Sequence, residues 1–185
     1  MFAVEQHRDA GANPNQPDFE QVFLPHLDAA YNLARWLLRN DQDAEDAVQE
    51  AYLRAYKAFA RFRGGDGKAW LMTIVRNVCY TMIQKLRKHE TPEPFDEEIH
   101  QPLGEAEAQE AFRQKANAET LQGALEKLPV EFREIVVLHD LEGFAYKEIA
   151  AVVGIPIGTV MSRLARARGR LRDEIIAAQA RESSL

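Results

Sequence analysis

The stretch YKEIAAVVGIPIGTVMSRL, residues 146–164, decides the fold of this 185-residue chain. Ile149 and Val153 recur at helical spacing, and Gly154 falls where a helix commonly ends in a left-handed turn. Pro156 stands just before a second periodic run, and proline suits the first turn of a helix. The pattern predicts a helix-turn-helix, whose second helix enters the DNA major groove.

The outward positions of the second helix follow from its buried stripe. If Val160, Leu164 and Leu171 face the core, the opposite face meets bases and phosphates. Serine and arginine there suit base edges, and threonine and arginine at its margins suit the DNA backbone. The residues expected to contact DNA are Lys147, Gly158, Thr159, Met161, Ser162, Arg163, Ala165 and Arg166. A solvated arginine-rich helix is the simpler alternative, and the Gly-Pro turn at the right spacing argues against it.

The net charge of −6 hides three blocks of opposite sign. Residues 61–88 hold seven basic residues and one acidic residue, and residues 157–172 hold five arginines and no acidic residue. Residues 89–112 hold eight acidic residues and no lysine or arginine. Two basic blocks separated by an acidic one predict two polyanion-binding surfaces and a segment that avoids DNA.

Helical periodicity also recurs before the acidic block, where no alternating strand pattern is found. Three apolar stripes predict a helical domain that a glycine-rich segment, residues 63–67, interrupts. The stripes are Leu24, Leu27, Tyr31, Ala34 and Leu38; then Ala44, Ala47, Val48, Ala51, Tyr52, Ala55 and Phe59; then Leu71, Ile74, Val75, Val78, Met82 and Leu86. Asp41 or Asp43 is expected to cap the second helix.

The predicted fold class is therefore all-α, with two small helical domains joined by an acidic flexible linker and with the helix-turn-helix in the C-terminal domain. The predicted boundaries are 1–17 for a flexible N-terminal lead, 18–88 for the first domain, 89–112 for the linker and 113–178 for the second domain. Three prolines and few apolar residues make the linker extended. At about 3.3 Å per residue it would reach roughly 80 Å, enough for well-separated targets.

Hydropathy and cysteine content indicate the cellular location of the protein. No apolar run is long enough to span a bilayer, and the N-terminus lacks the apolar core of a secretory signal. The single cysteine, Cys79, excludes an internal disulfide and a cysteine-cluster zinc site. The prediction is a cytoplasmic protein that does not insert into a membrane.

Two separate signatures resemble the extracytoplasmic-function (ECF, RpoE-like) sigma factors, the smallest members of the bacterial sigma-70 family. Residues 146–168 are similar to the family's carboxy-terminal signature, and residues 128–138 to the helix before it. The segment DAEDAVQE, residues 43–50, with Tyr52 and Phe59, resembles the polymerase-binding helix. FRG at 62–64, AWL at 69–71, Ile74 and RN at 76–77 resemble the promoter-melting segment.

The resemblance implies that the domains are sigma region 2 and sigma region 4. The chain would then be an alternative sigma factor that binds core RNA polymerase and directs promoter recognition, local DNA melting and transcription initiation in a stress or envelope response. It implies polymerase contacts from Asp43, Glu45, Asp46, Gln49 and Glu50. It implies contacts to the −10 element from Arg61, Arg63, Asp66, Lys68, Arg76, Asn77, Lys85, Arg87 and Lys88. The helix-turn-helix residues above would read the −35 element, where Met161 indicates an altered base preference.

The implied mechanism is strand capture without bond chemistry, enzyme activity, cofactor or metal. Opening a promoter takes a base out of the stack at a cost of a few kcal/mol, and a pocket with a basic groove offsets that cost. By resemblance, the loop from Arg63 to Lys68 builds the pocket, whereas Trp70 is expected in the core. Many family members are held inactive by an anti-sigma factor, so such a partner is expected here. An anti-sigma factor located at the inner membrane would hold the chain there.

Two other functions fit parts of the sequence. An autonomous dimeric helix-turn-helix transcription regulator would use the second domain but leaves the acidic helix and the first basic block without a role. An enzyme would need more than the pair His139-Asp140 to hold a metal, and no phosphate-binding glycine motif is present. Cys79 lies in an apolar stripe, which predicts packing rather than reactivity.

Overall fold

The computed structural model describes residues 18–87 and 118–182, and within these ranges the predicted all-α fold is confirmed. The first range holds α1 (Phe19–Phe23), α2 (Leu27–Leu38), α3 (Asp41–Ala58) and α4 (Gly67–Arg87), with 3₁₀ turns at Leu24–His26 and Phe59–Arg61. The second holds α5 (Ala118–Lys127), α6 (Val130–Val136), a π-helical turn (Val137–Leu141), α7 (Tyr146–Val153) and α8 (Ile157–Glu182). The predicted N-terminal lead, the predicted linker and Lys88 lie outside the described residues.

In the N-terminal domain α2, α3 and α4 pack against one another. The predicted α3 stripe is confirmed, since Ala44, Ala47, Val48, Ala51 and Ala55 are buried. Small side chains at these positions let neighbouring helices approach α3 closely.

The cap expected for α3 was assigned to the wrong residues. Asn40 has an extended backbone, and its side-chain oxygen accepts a hydrogen bond from the Asp43 N–H at 3.0 Å. Asp41 and Asp43 already lie inside the helix, in its first turn. Their acidic charge still suits the positive end of the helix dipole.

The stripe predicted for α2 is confirmed at Ala34 and was wrong at Leu24 and Leu27. Ala29, Ala30, Leu33, Ala34 and Leu37 are buried, whereas Leu24 and Leu27 are exposed. The 3₁₀ turn at Leu24–His26 changes the rotation per residue, so a helical period that starts at Leu24 arrives at α2 out of phase. In α4 the stripe is confirmed at Leu71, Val75 and Val78 and fails at the exposed Leu86, near the helix end.

An aromatic cluster fixes the loop that precedes α4. The Trp70 ring centroid lies 5.2 Å from those of Phe23 and Phe62, which supports the expected core position of Trp70. Gly64 and Gly65 have φ of +81° and +98°, a backbone that glycine adopts without strain. The Asp66 carboxylate accepts from the Ala69 N–H at 3.1 Å and so caps α4.

In the C-terminal domain, α7 and α8 form the predicted helix-turn-helix. Gly154 ends α7 in a left-handed conformation (φ 76°), and its N–H donates to the Ala150 carbonyl at 2.9 Å. Val160, Leu164 and Leu171 are buried, as predicted. Because this stripe packs in the core, the opposite face of α8 points outward.

Candidate nucleic-acid interface

The outward face of α8 is open to solvent. Gly158, Met161, Ser162 and Arg166 are exposed, and we call these four residues the reading face. Of the other residues expected at the −35 element, Lys147 is exposed at the start of α7, and Thr159, Arg163 and Ala165 are half-buried beside the reading face. The Ser162 hydroxyl donates to the Thr159 carbonyl at 3.1 Å, which leaves its oxygen lone pairs as acceptors.

Three of the five arginines in the basic block of residues 157–172 have partners inside the domain. Arg168 is 5% exposed, and its Nη2 and Nε contact the two Asp140 carboxylate oxygens at 2.5 and 3.3 Å. The Arg170 guanidinium lies over the Phe132 ring, 5.1 Å from its centroid, and Arg172 pairs with Asp173 at 3.2 Å. The expected basic block therefore gives the DNA side mainly Arg163 and Arg166. Asp140 is bound to an arginine, which supports a structural role for His139-Asp140.

The residues expected at the −10 element divide into two groups. Arg61, Arg63, Asp66, Asn77 and Lys85 are exposed around the glycine-rich loop and α4. Arg87 is the last residue of α4, and Lys88 lies outside the described residues. Lys68 and Arg76 are half-buried because they face the C-terminal domain, where each forms an ion pair with a glutamate.

Arg76 forms a bidentate ion pair with Glu134 of the C-terminal domain. Its Nε and Nη2 donate to the two carboxylate oxygens of Glu134 at 2.8 and 3.3 Å, and its guanidinium lies 4.3 Å from the Tyr80 ring centroid. Glu134 is 0% exposed. Burial raises the pKa of Glu134, and the hydrogen bonds from Arg76 oppose that shift. The geometry is that of a charge-assisted pair in a low-dielectric setting.

A second set of contacts surrounds Glu142. The Lys68 Nζ donates to the Glu142 carbonyl at 2.7 Å and lies 3.3 Å from a carboxylate oxygen of the same residue. The Asn32 amide donates to the other carboxylate oxygen at 3.2 Å, and the Arg39 guanidinium donates to the Glu126 carbonyl. We call these contacts, with the Arg76–Glu134 pair, the domain junction.

One cation at the junction is poorly satisfied. Arg133, in α6, is 3% exposed, and its Nε and Nη1 have no hydrogen-bond partner. Burial lowers the pKa of Arg133 to about 10, and the nearby Arg39 acts in the same direction. A buried donor without a partner costs about 1–3 kcal/mol, so this side chain works against closure of the junction.

The acidic residues expected to bind polymerase lie on α3. Glu45, Asp46 and Gln49 are exposed, while Asp43 and Glu50 are half-buried, and Glu50 accepts from Arg54 at 2.7 Å. Leu53 and Tyr56 are exposed further along the helix. The sequence analysis missed these two residues, although large apolar side chains three positions apart outside the alanine stripe were a usable signal.

The junction acids were missed as well. Glu134 lies within a run of buried residues, 132–138, and a carboxylate in such a run needs a buried partner. This signal predicts a buried ion pair but does not identify the partner. Within the described ranges no cluster of three or more His, Cys, Asp or Glu could hold a metal ion.

In the described ranges no single helix is long and apolar enough to cross a membrane. Tyr146–Val153 and Ile157–Ala180 satisfy the length and composition test only as a pair, and that pair is bent by 101°.

A helix-turn-helix with an open reading face, beside a basic helix and an acidic helix, defines a DNA-binding transcription protein. Comparison with known families supports this class. The Sigma-70 region 2 model matches residues 22–89, and the Sigma-70 region 4 model matches residues 118–171.

Individual relatives agree. The chain is 34% identical over 166 residues to the ECF RNA polymerase sigma factor SigE of Mycolicibacterium smegmatis, a match that covers 88% of this chain and 63% of that protein. It is 37% identical over 154 residues to the ECF RNA polymerase sigma factor SigM of Mycobacterium tuberculosis, covering 83% and 74%. The chain belongs to the ECF group of the sigma-70 family.

Two solved structures are similar to this chain over most of its length. The sigma factor RpoE from Bartonella quintana, in complex with the anti-sigma factor NepR, is similar with a TM-score of 0.68 and 31% identity, over 85% of this chain and 96% of that one. CnrH in complex with the cytosolic domain of CnrY is similar with a TM-score of 0.58 and 25% identity, over 86% and 88%.

Proposed function

We propose that this chain is an alternative sigma factor that joins core RNA polymerase and directs it to promoters of its own class. One observation carries the proposal: a single chain combines an exposed acidic face on α3 with an exposed reading face on α8. An autonomous regulator needs only the second. The two family regions, in the expected order, support the same conclusion.

The −35 contacts in this proposal come from the helix-turn-helix. Arg166 is placed to reach a guanine edge or a phosphate, and Ser162 offers acceptor lone pairs to a base. Lys147, Thr159 and Arg163 hold phosphates and set the register of the helix in the groove. Gly158 and Ala165 allow close approach, and Met161 supplies an apolar contact.

The −10 contacts come from the loop before α4 and from α4 itself. The exposed Arg61, Arg63 and Lys85 attract the strand, and neutralising phosphates makes the affinity depend on salt. Lys68 and Arg76 join them once released from their acidic partners. The process moves DNA strands and forms no covalent bond, so the chain itself performs no catalysis.

Polymerase contacts are assigned to the acidic face, which consists of Asp43, Glu45, Asp46, Gln49 and Glu50. Exposed carboxylates steer a basic partner and determine orientation. Leu53 and Tyr56 extend the face with apolar area, the kind of residue found at the centre of interfaces. We place the chain in the cytoplasm, where polymerase acts.

An anti-sigma factor is the expected regulator. Of two similar structures, one is a sigma factor in complex with the anti-sigma factor NepR, and the other is CnrH in complex with the cytosolic domain of CnrY. A partner of this kind could hold the chain at the inner membrane, in a stress or envelope response. Affinity purification from the native cell would recover it, and recovery of polymerase subunits alone would contradict this part.

In vitro transcription with core polymerase and a genomic template library tests the proposal. The chain should direct initiation at defined positions that core enzyme alone does not use. Ser162→Ala with Arg166→Ala should reduce initiation while a pull-down still recovers core polymerase, with Arg172→Ala as a control on the same helix. Asp46→Lys with Glu50→Lys should abolish the pull-down, with Asp173→Lys and Glu174→Lys as the charge-matched control. Tight specific DNA binding without polymerase, and no initiation with it, would favour the autonomous regulator.

A further inference from the structure

The outward face of α8 carries two parallel rows of residues that differ in polarity. Residues four positions apart lie on one line along a helix. One line, which we call the apolar row, consists of Ile157, Met161 and Ala165. The next line, which we call the polar row, consists of Gly158, Ser162 and Arg166. Because one residue step turns a helix by about 100°, the two rows face different parts of a groove that α8 enters.

The apolar row is open to solvent instead of packed in the core. Ile157 and Met161 are 44% and 47% exposed, although large apolar side chains usually avoid water. The residues around them are basic, since Lys147 and Arg166 are exposed and Arg163 is half-buried. An apolar strip with cationic neighbours fits a partner that presents a small apolar group between phosphates.

Duplex DNA offers one such group in its major groove. Among the groups that base pairs present there, the C5-methyl of thymine is apolar, and the others are hydrogen-bond donors or acceptors. Apolar side chains, alanine included, contact this methyl group directly. The first turns of a recognition helix lie nearest to the base edges, and Ile157 and Met161 belong to the first two turns of α8.

Gly158 leaves room for a base edge next to the apolar row. A Cβ built at this position would meet no packed neighbour within 4 Å in the described part of the chain. The interior of the domain therefore does not require glycine here. A missing side chain lets a partner come close to the helix backbone.

We propose that Met161 and Ile157 select thymine in the −35 element by contact with its C5-methyl group, with Gly158 left bare so that the base edge reaches the helix. The inference rests on the proposed function, because it takes α8 as the reader of the −35 element. It assigns a base to the apolar row, whereas the polar row reads hydrogen-bonding atoms through Ser162 and Arg166. The −35 element should accordingly contain an A·T pair whose thymine faces Met161.

Removal of the methyl group from the DNA is the first test and needs no protein variant. Each thymine of the −35 element of a promoter mapped by transcription is replaced in turn by deoxyuridine, which keeps the base pair and the O4 acceptor. Duplex binding by the chain with core polymerase is measured by fluorescence anisotropy. Loss of one buried methyl contact should weaken binding about fourfold at one thymine and hardly at all at the others.

The protein side of the contact is tested on the same two duplexes. Met161→Ala should bind the thymine duplex about fourfold more weakly than the wild type and should no longer distinguish thymine from deoxyuridine. Met161→Leu keeps an apolar side chain and should preserve the distinction. Ile176→Ala is the matched control, because Ile176 is also exposed on α8 but lies far from its first turns. This control should distinguish the duplexes as the wild type does.

Gly158→Ala tests the close approach of the base edge. Alanine is the better helix former, and the fold has room for its methyl group, so the thermal midpoint should not fall. Binding to the −35 duplex should weaken about fivefold or more, as for a mismatched base pair. Gly123→Ala in α5 also adds a methyl group in open space, and it should leave duplex binding unchanged. Equal binding by the two alanine variants would overturn the close approach.

The outcomes keep this inference apart from the proposed function. If initiation persists but no deoxyuridine substitution weakens binding, or if the mapped −35 element contains no A·T pair, thymine selection is overturned and the sigma function stands. A Met161→Ala chain that no longer joins core polymerase would assign the apolar row to polymerase and also overturn it. If the wild type directs no initiation, the proposed function itself fails. Methyl sensitivity at one thymine that disappears in Met161→Ala supports the inference.

Discussion

Helices α8 and α4 carry similar positive charge, yet the free chain exposes the DNA-facing side of one and covers part of the other. Met161 and Arg166 on α8 are open to solvent, whereas Lys68 and Arg76 on α4 are bound to carboxylates of the opposite domain. The difference teaches that the number of basic residues in a helix does not determine how many can meet DNA. The positions of the acidic residues elsewhere in the fold decide it.

Two arginine–carboxylate pairs, one within a domain and one between the domains, differ in a similar way. Arg168 and Asp140 belong to one domain, so their pair breaks only if that domain unfolds. Arg76 and Glu134 belong to different domains, so their pair breaks when the domains part. A pair of the first kind supports the recognition helix, and a pair of the second kind can serve as a switch.

The largest effect is expected from a change that destroys the open surface. Leu164 is 2% exposed in the core beneath the reading face, and Leu164→Ala should lower the free energy of unfolding by about 3–5 kcal/mol. Met161→Ala, three residues earlier on the exposed side, should change it by less than about 0.5 kcal/mol. Urea titration followed by circular dichroism measures both, and equal losses would contradict the assignment of the two faces.

The next effect is on the coupling between the domains. Glu134→Gln removes the partner of Arg76, and an unpaired buried charge would cost about 3 kcal/mol or more, so we expect the domains to separate instead. Both tryptophans, Trp36 and Trp70, lie in the N-terminal domain. Tryptophan fluorescence and far-UV circular dichroism should therefore give coincident transitions for the wild type and separate transitions for the variant.

The control for this change is Glu174→Gln, which removes a surface carboxylate bound to Lys127 at 2.7 Å. It should leave the two transitions coincident. Separate transitions already in the wild type would mean that the junction does not couple the domains.

A smaller effect of opposite sign is expected at Arg133. Replacing this poorly satisfied cation in Arg133→Met should stabilise the closed arrangement by about 1–3 kcal/mol and weaken −10 strand binding. Arg172→Met, at a more exposed ion pair, should have little effect on either. The urea midpoint and the oligonucleotide affinity are the measurements, and a destabilised Arg133→Met would indicate that this side chain supports the junction.

The smallest effect is an alkaline loss of stability in the N-terminal domain. Burial raises the pKa of Cys79 from 9.0 to about 12, so the folded state keeps the thiol protonated while the unfolded chain ionises it. Between pH 9 and pH 10 stability should fall by at most about 1.4 kcal/mol. Cys79→Ala should flatten the slope between pH 9 and 10, and an unchanged slope would assign it to other groups.

Local pattern predicted those parts of the fold that depend on local geometry. The alanine stripe of α3, the left-handed Gly154 and the buried face of α8 were all predictable from spacing. The buried face of α2 was not predictable in the same way, because the spacing of apolar residues does not reveal the 3₁₀ turn at Leu24–His26.

The residues of the candidate site could be predicted from the sequence. Which of them are exposed and which are paired with carboxylates could be predicted only in part. The exposed reading face followed from the stripe opposite it. The closure of Lys68 and Arg76 did not, since their partners lie 74 and 58 residues further along the chain. Only tertiary packing selects such partners among many acidic residues.

The central claim is that the free chain holds its two domains together through the domain junction and that it joins core polymerase as a sigma factor. Spin labels at Lys57→Cys and Ile176→Cys, both exposed positions, in a Cys79→Ala background report the interdomain distance by double electron–electron resonance. We predict one narrow distance distribution for the free chain and a longer distance when core polymerase is added. A broad distribution in the free chain, or the same distance with and without polymerase, would contradict the account.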